Sequence, residues 1–152
     1  MIEPFMEKRV ATAASPQGQA VLAAVTAAEI FASAPPAQAR GFYAAVGHRL
    51  AAHVDVGLVF DVDALVARIN RFWSAMGWGE ASLELGDDAI FIRHRGLPEG
   101  LDADVGGHWP TMAAAILEGA YDAWFRALGS DVQLRTRVME WRDGVVQLRH
   151  GG

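Results

Sequence analysis

The residues able to do chemistry are 5 histidines, 18 carboxylates and a few serines, and the chain has no cysteine. Cysteine's absence removes thiolate metal sites, disulfides and a cysteine nucleophile. His48 and His53 sit five apart in a helical stretch, about 140° around the axis, so they do not share a face. His94, His108 and His150 fall in separate segments without ligand spacing. No Gly-x-Ser-x-Gly occurs, and no serine has a histidine beside it in the chain. Gly77-Trp78-Gly79 follows a helix and precedes a strand, the wrong order for a helix N-terminus to cradle a phosphate. Glycoside hydrolysis needs two carboxylates across a cleft, whereas Asp87/Asp88 and Asp102/Asp104 stand in turns, where aspartate serves local hydrogen bonds. The expectation is no catalytic residue, no metal and no cofactor.

Aromatic and basic residues offer binding rather than catalysis. Trp78, Trp109, Trp124 and Trp141 with Tyr121 are candidates to stack on sugars. Trp73 and Trp124 lie on helical stripes and read as core; Trp109 and Trp141, near element ends, read either way. Arg93 and Arg95 share a parity on one strand, and Arg135 and Arg137 share one on another, with Arg149 able to join them. If the hairpins pair in register, these guanidinium groups decorate one outer sheet face. That face is either solvated or a protein interface, where arginine is enriched and lysine depleted.

The elements that must position these residues follow from periodicity. Met1 to Gln17 has no clear period and reads as an N-terminal arm. Gln19 to Ala34 reads as a helix with Glu29 as its only charge, apolar on most faces and therefore expected to be buried in the domain or in a subunit interface. Pro35-Pro36 breaks it and opens a second helix to about Val54, with Phe42, Val46 and Leu50 on one face. A third runs from an Asp61 cap to a Gly77 stop, with a Phe60–Leu65 staple expected across its start. Ala81 to Leu85 and Ile90 to Arg95 alternate around Gly86-Asp87-Asp88 as a hairpin. A loop to Gly107, a helix from Pro110 to Leu128 and a second hairpin, Val132–Trp141 with Val145–His150, complete the chain. The order ααα-ββ-α-ββ predicts an α+β fold with an antiparallel sheet, as a single domain over residues 1–152.

Composition narrows function further. The chain has 152 residues and a net charge of -5, a poor match to a phosphate backbone, so no nucleic-acid partner is expected. No run is long and apolar enough to span a membrane. Lys8-Arg9, the apolar Ala20–Ala28 run and Ala32-Ser33-Ala34 have the outline of a secretory signal. Ser15–Gln19, Glu29 and Pro35 interrupt that outline, so the expected site is cytoplasmic, at the inner membrane, with the periplasm as the alternative.

Met76-Gly77-Trp78-Gly79 followed by Ser82-Leu83-Glu84-Leu85, then Ile92-Arg93-His94 and Leu97-Pro98, resembles the bacterial cellulose synthase D-subunit family (cellulose synthase operon protein D). Leu117-Glu118-Gly119, Tyr121 and Trp124 resemble that family's Leu-Glu-Gly-x-Tyr-x-x-Trp helix, and Trp109 falls at a family tryptophan. Before Phe42 and after Ser130 the residue-level match is slight. The resemblance implies a non-catalytic accessory protein, with dimers assembling into a ring-like octamer that assists glucan export and the ordering of chains into crystalline cellulose. It implies as partners other copies of the chain, the cellulose synthase complex, a proline-rich accessory protein of the same operon, and glucan chains. Gly77, Trp78, Gly79, Trp109, Glu118, Gly119, Tyr121 and Trp124 then read as fold-defining; Arg93, Arg95, Arg135 and Arg137 read as a possible interface. Two other classes stay open: a small-molecule-binding regulatory module with a buried histidine such as His48 facing a ligand, and a polysaccharide hydrolase.

Overall fold

The computed structural model describes residues 16–152; most of the expected N-terminal arm lies outside them. The elements are α1 (Pro16–Ser33), α2 (Pro36–Ala51), α3 (Val62–Met76), β1 (Glu80–Leu85), β2 (Ala89–Arg95), α4 (Trp109–Ala127), β3 (Arg135–Arg142) and β4 (Val145–Gly151). The α+β order stands as the periodicity predicts. Three boundaries move: α1 starts at Pro16 rather than Gln19, so Pro16 and Gln17 belong to the helix and not to the arm; α2 stops at Ala51 rather than near Val54; and the second hairpin starts at Arg135 because residues 131–134 form a turn.

Local signals explain the ends. Asp61 accepts from the Ala64 N–H at 2.7 Å, capping α3, and Gly77 closes it in the left-handed conformation at φ 71°, ψ 27°. The expected staple does not form, because Phe60 is 92% exposed. Asp104 accepts from the His108 and Trp109 N–H groups, both at 2.8 Å, and so satisfies the start of α4.

The four strands form one antiparallel sheet in the order β1-β2-β4-β3. Its inner face carries Ala81, Ile92, His94, Val146, Leu148 and His150, all buried. The outer face carries Arg93, Arg95, Arg135, Arg137 and Arg149, in the register expected. Both edge strands are held by a helix side chain. Asn70 of α3 donates to the Ala81 carbonyl (2.9 Å) and accepts from the Ala81 N–H (2.6 Å) on β1. Glu118 of α4 accepts from the Val138 N–H (2.8 Å) on β3, beside the irregularity between Val138 and Glu140. An edge group so engaged is withdrawn from pairing with a further strand.

Helix α4 runs through the middle of the domain, buried from Trp109 to Phe125 on most sides. Helix α2 crosses it on small residues. The buried face of α2 is Ala39, Tyr43, Gly47 and Ala51, displaced from the expected Phe42-Val46-Leu50 row; Phe42 is exposed. A Cβ on Gly119 would collide with the Ala44 carbonyl, and one on Gly47 with the Ile116 carbonyl. The two backbones therefore touch, which larger side chains would forbid.

Helix α1 overturns half of its expectation. Among its described side chains only Ala24 and Ala27 are buried, with Ile30 and Phe31 half-buried against the core, while Val21, Leu22 and Val25 are exposed. The domain covers one side of this helix and leaves the other to solvent or a subunit interface.

Candidate functional site

The motif residues meet at the junction of α3, β2 and α4. The Trp73 indole N–H donates to the Tyr121 hydroxyl at 3.1 Å. His94 Nε2 lies 2.7 Å from the Trp78 carbonyl, which can only accept, so Nε2 carries the proton. Nδ1 then accepts from the Tyr121 hydroxyl at 2.7 Å. Every buried side-chain polar atom of this hydrogen-bonded relay has a partner. Burial holds the His94 pKa below its ordinary value, partly offset by the bond to Trp78, and drives the Tyr121 hydroxyl well above its own. Both groups stay neutral, as a low-dielectric interior demands.

The other motif residues are also spent on framework contacts. Trp78 stacks on Trp73 with centroids 5.8 Å apart and meets Trp109 edge-on at 5.5 Å. Trp109 donates to the Pro98 carbonyl at 2.7 Å. Trp124 donates to the Ala51 carbonyl at 3.0 Å, satisfying the end of α2. Gly79 has φ 82°, and a Cβ there would strike the Arg95 carbonyl. Trp141, left open as a sugar platform, is half-buried against the core. The tryptophans thus form no exposed row for sugar stacking.

A second cluster was not visible in the chain order. Ser130 Oγ donates to His150 Nε2 at 2.6 Å, although the two are 20 residues apart. His150 Nδ1 donates to Thr136 Oγ1 at 2.8 Å, and Thr136 donates to Asp122 at 3.2 Å. Asp122 also takes a 2.7 Å ion pair from Arg126. The expectation that no serine stands beside a histidine is corrected by the fold, through the α4–β3 turn meeting β4. The arrangement is that of a satisfied buried histidine: each ring nitrogen has one hydroxyl partner, and Arg126 neutralises the carboxylate. Burial lowers the His150 pKa; Asp122 opposes this and Arg126 adds to it. Beside the pair opens a largely apolar cavity of about 520 Å³, walled by Leu65, Leu83, Ile90, Phe125 and Leu134.

A polar groove of about 450 Å³ lies between α2, α4 and β3, lined by Glu118, Asp122, Arg126 and Arg137. Burial raises the Glu118 pKa, while its Val138 bond, Arg137 and Arg40 pull it down. His48, which the alternative small-molecule reading would have buried and facing a ligand, is exposed at the rim of this groove; the buried histidines are His94 and His150. Among the described residues no three His, Asp or Glu side chains are placed to hold a metal ion, and no helix is long and apolar enough to cross a membrane.

The fold and this framework define an α+β domain whose signature residues hold helices to a sheet. The family model for the D subunit of cellulose synthase matches residues 6–151, and the chain belongs to that family. No curated relative matches it. Membership gives it a role in bacterial cellulose synthesis as an accessory subunit.

Proposed function

We propose that the chain is a non-catalytic structural subunit that assembles with copies of itself, as dimers building a ring-like octamer, and that this assembly assists glucan-chain export and ordering into crystalline cellulose. The observation that carries the reading is α1: an 18-residue helix with Glu29 as its one charge and with Val21, Leu22 and Val25 exposed. Water is a poor environment for such a surface, and a second copy of the chain is the partner always present at equal concentration. The eight motif residues specify the fold and so the shape of the assembled particle. The cellulose synthase complex and a proline-rich accessory protein of the same operon are the further partners, met at the cytoplasmic face of the inner membrane. The alternative small-molecule module is favoured by the apolar cavity beside Ser130 and His150.

The test is complementation in a cellulose-producing bacterium lacking this gene. The intact chain restores the yield and crystallinity of the fibre, and a Leu22→Glu, Val25→Glu chain does not. Full restoration by the double variant would remove the assembly reading.

A further inference from the structure

The outer sheet face holds a like-charge arrangement that the fold does not need. Arg137 of β3 and Arg149 of β4 stand directly opposite in register. Like charges so placed on neighbouring strands repel. Arg135, two residues along β3, faces Gly151, over which the Arg149 guanidinium folds. The three arginines line one cleft of about 400 Å³, with Gln133, Met139 and the two last glycines as the remaining wall. Arg149 donates to the Gly152 oxygen at 3.1 Å, and among the described residues its one carboxylate partner is the exposed Asp88 at 3.9 Å. Among the described residues, Arg135 and Arg137 have no carboxylate within 4.0 Å. Glu118, which feels the charge of Arg137, has its Oε2 engaged by the Val138 N–H.

We propose that this cleft is a binding site for a phosphate-bearing small molecule, of the diphosphate class. Planar guanidinium groups match phosphate oxygens two bonds at a time, and three of them round one concavity suit more than a single negative charge. The cleft lies within the size range of small-ligand pockets. A bound diphosphate would supply Arg135 and Arg137 with the counter-charge they lack nearby and add to the distant Asp88 that Arg149 meets. Arg93 and Arg95 lie outside the cleft and serve as internal controls.

Titration calorimetry of the intact protein with inorganic pyrophosphate, at fixed ionic strength, tests the site. The expected result is saturable binding that Arg137→Gln or Arg135→Gln weakens about tenfold, the loss of a charge-assisted hydrogen-bond pair, and that Arg93→Gln leaves unchanged. The three substituted side chains are exposed, so the variants keep the fold, which circular dichroism verifies. No saturable heat, or equal weakening by Arg93→Gln, would overturn the proposal. So would polyglutamate binding more tightly than pyrophosphate, since the face would then be a docking surface for acidic peptide. Light scattering of the Arg137→Gln protein keeps this result separate from assembly: the particle mass is expected to be unchanged, and a smaller particle would make the arginine a subunit contact and overturn the proposal.

Discussion

Replacing Gly119 by alanine puts a methyl group where α4 leans on α2. The new Cβ would lie 2.8 Å from the Ala44 carbonyl carbon and 3.0 Å from its Cα, with the carbonyl oxygen closer still. Ordinary contacts begin at 3.4 Å, and the atoms in the way are backbone, so the helices must part. Overpacking of this kind costs about 1–3 kcal/mol, and backbone obstruction argues for the upper end. Alanine returns about 1 kcal/mol of helix propensity, so the net loss is about 2 kcal/mol. For a chain of this size that is a fall in Tm of about 4–8 °C. Gly41 supplies the control, since it lies in α2 with nothing within 4 Å of its would-be Cβ. Gly41→Ala gains the propensity without the collision, and its Tm rises by about 2–4 °C. Gly47→Ala, facing the Ile116 carbonyl from the other helix, follows Gly119→Ala. The assay is thermal and urea unfolding by circular dichroism. If Gly119→Ala and Gly41→Ala move stability in the same direction, the two backbones do not meet there and the crossing argument is refuted.

The Tyr121→Phe variant strands the Trp73 N–H and the His94 Nδ1 together, and urea unfolding should show a loss of about 2–4 kcal/mol. Stability should fall with acid. His94 and His150 ordinarily titrate near 6.5, and burial lowers both in the folded chain. Below that pH the unfolded chain takes up protons that the folded one refuses. The contribution is therefore complete above about pH 6.5 and is lost as pH falls towards the folded values; a urea midpoint unchanged from pH 7.5 to 5 would contradict it. Glu118→Ala should expose the Val138 amide, speeding its hydrogen exchange and costing about 1–2 kcal/mol, whereas Glu118→Gln retains an acceptor and should protect that amide nearly as well as the parent.

The fold was legible where one face of an element meets water. Alternation fixed both hairpins and put Arg93, Arg95, Arg135 and Arg137 on the outside. Asp61 and Gly77 announced the ends of α3 by their backbone preferences. The buried face of α2 was not legible, because larger apolar residues, Phe42 and Val46, outrank glycine and alanine in any pattern of hydrophobicity, although close backbone approach needs the smaller ones. The framework role of Tyr121 and His94 was hidden for another reason: the two are 27 residues apart and belong to different elements. Ser130 and His150 were hidden likewise. A serine that follows a helix C-terminus gives no local sign that a strand 20 residues later will bring an imidazole to it. The family motif names Trp78, Trp109, Tyr121 and Trp124 without saying which carbonyl or ring each one meets.

Self-assembly driven by α1 is the central claim. Multi-angle light scattering of the intact chain at micromolar concentration measures it most directly. The expected mass is several times the 16.3 kDa of one chain, with Leu22→Glu, Val25→Glu protein of native circular dichroism running as a smaller species. A parent protein that scatters as a single 16.3 kDa chain would contradict the central claim.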